Sequence, residues 1–146
     1  MPILAGQIIT AGQLARMQPT PYIGEATAAL TAGTTYQLIP GCSITLATLA
    51  PNASYSVIGV FDSAVTTVHA TNLMVGRLVV DGAAGTGLAI HAMDTLDQDT
   101  VAMVWNGTLP AAGSHTFRLE GVISGTGGAG RFGQYTRLLV TITEVV

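Results

Sequence analysis

The sequence predicts an all-β chain: an antiparallel β-sandwich or jelly roll of about eight strands, led by a short N-terminal arm that is part extended and part helical. Three observations carry this. From Thr34 onward, short segments rich in β-branched residues follow one another, separated by Gly, Pro, Asn and Asp. In "SHTFRLEGV" the alternation is clear, with His115, Phe117 and Leu119 on one face and Thr116, Arg118 and Glu120 on the other. No long helical periodicity and no strand–helix–strand alternation interrupts the series. The expected division is an anchoring arm over residues 1–29 and a sandwich over 30–146.

The arm comes first. In "TAGQLARMQ" Leu14 and Met17 stand at helical spacing, with Thr10 placed as an N-cap. Pro19 and Pro21 stop the helix, since each biases its predecessor toward extended backbone. A helix this short is marginal alone in water, so the arm is expected to pack on something else. Its candidate partner-binding side chains are Ile3, Leu4, Ile8, Ile9, Leu14, Arg16 and Met17. The strands follow: "TTYQLI" and "SITLATL", parted by Pro40-Gly41, then "ASYSVIGVF" after Pro51-Asn52. "NLMVGRLVVDG" ends in Asp81-Gly82, a tight-turn dipeptide. "GLAIHAM", "TVAMVWNGTL", "SHTFRLEGVIS" and "QYTRLLVTITEVV" complete the set, with Trp105, Phe61, Phe117 and Tyr55 as core candidates.

Composition limits the function. Of 146 residues 49% are hydrophobic and only 9% charged, and mean hydropathy is +0.52. Even so, no apolar run approaches the roughly 18 residues of a spanning helix, which argues against a membrane protein. "MPILAGQIIT" lacks a basic n-region and a long apolar stretch, so a chain made in the host cytoplasm, soluble and intracellular when made, is expected. The basic residues are five arginines, Arg16, Arg77, Arg118, Arg131 and Arg137, and net charge is −3. Such scattered charge makes no stripe for phosphates, so nucleic acid is not an expected partner. A small domain this poor in charge has apolar surface left to cover, which predicts an oligomer or a part of a larger assembly. The single cysteine, Cys42, excludes an intrachain disulfide and reads as a small buried apolar residue.

Signals for chemistry are few. Gly125 to Gly130 match G-x-G-x-x-G, but strand-like "RFGQYTRLLVTITEVV" follows where a dinucleotide site needs a helix. The match therefore reads as a loop between two strands. His69, His91 and His115 fit no metal-ligand spacing, and Ser54, Ser56 and Ser63 have no neighbouring base or nucleophile elbow. Asp94, Asp97 and Asp99 in "MDTLDQDT" form a possible cation site or, more plainly, a solvated turn. The Asn52 and Asn106 sequons are read as chance matches, the second as an Asn-Gly turn. No cofactor and no enzymatic activity are expected.

Two stretches carry a resemblance. The opening "AGQIITAGQLARMQP" is similar to a "G-x-x-I-T-A-x-x-L-N-x-M-Q-P" start, departing from it at Ala15-Arg16. The series "ASYSVIGVFD", "VGRLVVDG", "TVAMVWNGTLPAAGSHTFRLEG" and "LLVTITEVV" extends the likeness over nearly the whole chain. In both, the chain resembles small virion proteins of tailed bacteriophages of actinobacteria, the capsid decoration and minor tail proteins. The resemblance implies a jelly roll of the tumour-necrosis-factor or C1q type, assembled as a homotrimer. Without heptads or a Gly-X-Y stalk, the compact chain suits a decoration (cement) protein on the capsid surface, its arm bound to the major capsid protein. The alternative is a minor tail protein recognising a host surface glycan or protein receptor through its loops. A cellular C1q-like or lectin-like binding protein is the third reading.

Overall fold

The computed structural model describes residues 8–145. Its one helix among these, α1 (Ala11–Arg16), begins where the sequence placed its cap. Thr10 accepts from the Gln13 N–H, and the Gln13 side chain accepts from the Thr10 N–H, closing a capping box. Eleven strands follow: β1 (Thr20–Glu25), β2 (Leu30–Thr31), β3 (Gln37–Thr48), β4 (Ala53–Thr67), β5 (Leu73–Val80), β6 (Ala83–Ala84), β7 (Ala89–Ala92), β8 (Gln98–Leu109), β9 (Gly113–Ile123), β10 (Ala129–Phe132) and β11 (Arg137–Thr143).

They form two antiparallel layers. Layer A runs β1-β11-β4-β8, and β10 continues the β11 position along the far end of β4, carrying β2 outside it. Layer B runs β3-β9-β5-β7, with β6 closing a hairpin on the end of β5. Successive long strands jump between layers, so each layer pairs segments distant in sequence. That is a jelly-roll sandwich. Where the layers meet at their edges, β7 lies against β8 and β1 against β3.

Three local results differ from the sequence reading. Pro40-Gly41 does not separate two strands. β3 runs through it, the register to β9 slipping between Leu38 and Ser43 while Gly41 takes φ 85°. Within the expected arm, 1–29, residues 20–25 form a strand, β1, that pairs along β11. Pro21 is accommodated there because β1 is an edge strand. Short strands β2, β6 and β10, too brief to carry a pattern, make up the difference from eight.

The core lies between the layers. Phe61, Phe117, Phe132, Leu78, Leu119, Leu138 and Met93 are fully buried in it. Phe61 meets Trp105 and Phe132 edge-on at 6.4 and 6.0 Å, and Tyr55 meets Phe117 at 5.2 Å. Gly76, mid-strand in β5, faces the Phe61 ring so closely that a Cβ would enter it. Asp81 and Gly82 both have positive φ, 50° and 85°, the two-residue turn the sequence indicated.

Candidate interaction surface

The two outer faces of the sandwich are built differently. On layer A, strand register places Ile23 of β1, Leu139 of β11, Ile58 of β4 and Val104 of β8 side by side. Three of them are open to solvent, Ile23 at 67%, Val104 at 52% and Ile58 at 39% exposure. The row spans about 15 Å at ordinary strand spacing. The next row adds Val60 and Ala102 beside the ion pair Arg137–Glu25 at 3.1 Å. On the other side Pro21, Thr141, Ser56 and Asn106 form a small polar row. The face is apolar at its centre, with the Arg137–Glu25 pair at one border.

Layer B carries a charge network at the centre of its outer face, flanked by exposed Leu38 of β3 and Ile90 of β7. Glu120, with a side chain 8% exposed, accepts from Arg77 at 2.7 Å and from Arg118 at 3.0 Å. The Arg77 guanidinium lies 3.6 Å above the Tyr36 ring. Thr45 and Thr116 share a hydrogen bond at 3.0 Å, and Val75, Val79 and Val122 beside this network are buried. Charge is satisfied there by charge from the same chain.

The arm stands exposed. Ile8 is 91% accessible, Ile9, Leu14 and Met17 are also exposed, and α1 buries none of its residues. Arg16 and Ala15 form one wall of a groove of about 200 Å³, facing Tyr22, Ala47, Ile142 and Glu144. The arm thus leaves the sandwich at the end bearing its tight turns. Ile3 and Leu4 lie outside the described residues.

The opposite end holds the long connections. Ser124–Gly128 joins β9 to β10 and is fastened by Asn72 Nδ2 donating to the Thr126 carbonyl at 2.9 Å. A Cβ at Gly125 would stand 2.6 Å from Asn72 Oδ1 and force that side chain to shift. The glycine run is a strand-to-strand loop. Of the three aspartates, Asp97 takes a hydrogen bond from His91 at 2.9 Å, Asp94 is exposed, and Asp99 belongs to β8 opposite Ser63. No group of three carboxylate, histidine or cysteine side chains converges among the described residues. Nearby, buried Asp62 accepts from Gln98 Nε2 at 2.6 Å and from the Tyr135 N–H at 3.2 Å. Its own backbone holds Gly133 and Thr136, so it anchors the β10–β11 turn. A cavity of about 300 Å³ lies beside it, lined also by Arg131, Gln134 and exposed Tyr135.

Several of the remaining polar candidates are engaged structurally. His69 Nδ1 faces Thr71, and His115 lies between Asp81 and the Ala111 carbonyl. Ser54 Oγ donates to the Thr143 carbonyl. Cys42 is buried, its thiol against the Thr136 carbonyl, and burial pushes its pKa up to about 11 against a smaller downward pull from Arg137. No helix among the described residues is long and apolar enough to cross a membrane.

No protein-family model matches the sequence, and no curated protein matches it. Solved structures do match the fold. The globular domain of zebrafish complement 1qA aligns with TM-score 0.50 at 12% identity, over 88% of this chain and 98% of that one. The infectious bursal disease virus Gt strain gives 0.52 at 14%, over 86% of this chain and 33% of that chain. Dimeric latent PorU from Porphyromonas gingivalis gives 0.54 at 10%, over 86% of this chain but only 13% of its own. What is shared is the fold. The chain spans a small part of PorU and a third of the viral chain, and essentially all of the C1q domain.

Proposed function

We propose that the chain is a virion structural protein of a tailed actinobacterial phage, a capsid decoration protein that binds the outside of the shell as a trimer. In this reading it clamps neighbouring capsomers. The observation that carries it is the apolar arm, Ile8, Ile9, Leu14 and Met17, held off a sandwich that leaves it unburied. A capped helix whose apolar side chains stay exposed among the described residues is suited to a groove on another protein. The apolar row of layer A supplies a second surface, on which three copies meet about an axis. Many copies on one lattice then add avidity to a modest individual contact.

The test is co-sedimentation with capsids of the full chain and of a chain lacking residues 1–17, which keeps β1. The reading expects both to be trimers, and only the full chain to pellet with capsids. Equal binding by the truncated chain would overturn it. The second reading, a minor tail protein binding a host glycan, has one observation in its favour. The cavity beside Asp62 combines Gln98, Arg131, Gln134 and the exposed Tyr135 ring, groups suited to sugar hydroxyls. Saturable binding of cell-wall saccharide lost in Tyr135→Ala would favour it.

A further inference from the structure

His115 opens β9 opposite Leu46 of β3, with its side chain only 7% exposed. Both ring nitrogens face acceptors. Nδ1 is 2.6 Å from Asp81 Oδ2, and Nε2 is 3.0 Å from the Ala111 carbonyl. A neutral imidazole carries one N–H and can satisfy one of these; the imidazolium satisfies both. The carboxylate is itself held in place, because Asp81 Oδ1 accepts from the Thr116 N–H at 2.7 Å. One side chain therefore joins the β5–β6 turn, the β8–β9 turn and β9.

We propose that His115 is a pH-sensitive clip, charged at neutral pH, which fastens the turns at the arm-bearing end of the sandwich and releases them as the pH rises. The groups facing it are few. Asp81 comes from the β5–β6 turn, and Tyr55 of β4 lines one cavity with it, its phenol pushed up by burial and, less, by the Asp81 charge. From β3 and the β8–β9 turn, Leu46, Pro110 and Ala111 bring no ionisable side chain.

Electrostatics agree with the geometry. The hydrogen bond to Asp81 raises the His115 pKa above its ordinary 6.5, outweighing burial, with help from the Ala111 carbonyl. Burial alone would lift the Asp81 carboxyl, but the bonds from His115 and Thr116 hold it below 3.8. The stabilisation from His115 is thus complete below about 6.5 and is lost as pH climbs through its raised folded value. That from Asp81 is present above about 3.8 and is lost only in acid below that. The clip is strongest between these limits and weakens on the alkaline side.

The test is a ¹⁵N-edited imidazole titration of the full chain. The clip requires both His115 nitrogens to be protonated at pH 7, with a midpoint above that of ordinary histidine. Asp81→Asn keeps a residue suited to the left-handed turn while removing the charge, and should bring the midpoint down to the ordinary value or below. The Thr116 amide shift should follow the same curve in the parent chain. A singly protonated His115 at pH 7, or a midpoint unmoved by Asp81→Asn, would overturn the proposal. The parent titration alone decides the first point should the variant not fold.

Discussion

The two outer faces of this sandwich lie on layers of similar size and strand length, and they treat solvent in opposite ways. On the outside of layer B the nearly buried Glu120 gathers Arg77 and Arg118, with Arg77 over Tyr36, a network in which each charge has a partner in the same chain. Layer A presents Ile23, Leu139, Ile58 and Val104 in register, with its ion pair displaced to the border. An exposed apolar residue standing alone needs no explanation, but four aligned across four strands make a patch. The difference separates a face centred on its own paired charges from one centred on an apolar row.

Substitutions can break or sharpen that contrast. The largest effect belongs to Ile58→Lys, which puts a charge in the middle of the apolar row. Sedimentation mass should fall to that of one chain while circular dichroism stays unchanged, since Ile58 is outside the core. Next is Glu120→Ala on the other face, which strands Arg77 and Arg118 together. It should lower unfolding free energy by about 1–3 kcal/mol in urea titration, without altering the mass. Smallest is Glu25→Gln at the border of layer A, where an exposed pair contributes under about 1 kcal/mol. Thermal melts should barely move, and association should show little dependence on salt. A reversal, with Glu120→Ala dissociating the assembly and Ile58→Lys leaving it intact, would assign the interface to layer B.

Much of this fold could be read directly. The alternation in "SHTFRLEGV" and the Asp81-Gly82 turn appear as anticipated, because β9 has one wet face and the turn demands positive φ. Thr10 capped its helix for equally local reasons. What escaped depended on pairing. "TPYIGE" became a strand only because β11 offers it an edge, and β3 passes Pro40-Gly41 by a slip in register. The interaction face escaped too, although a signal was present. In "SVIGVF" both parities are apolar, Val57 and Phe61 facing in, Ile58 and Val60 facing out, the mark of a strand covered on both sides. Glu120 and Arg118 on β9 could be placed on the outer face, but their meeting with Arg77 needs the β5–β9 register.

Cryo-electron microscopy of virions carrying the chain tests the central claim most directly. The account predicts trimeric knobs spread over the icosahedral shell, the layer A faces turned toward each threefold axis and the arms running onto capsid subunits. Single chains with layer A open to solvent, or density confined to the tail, would contradict it.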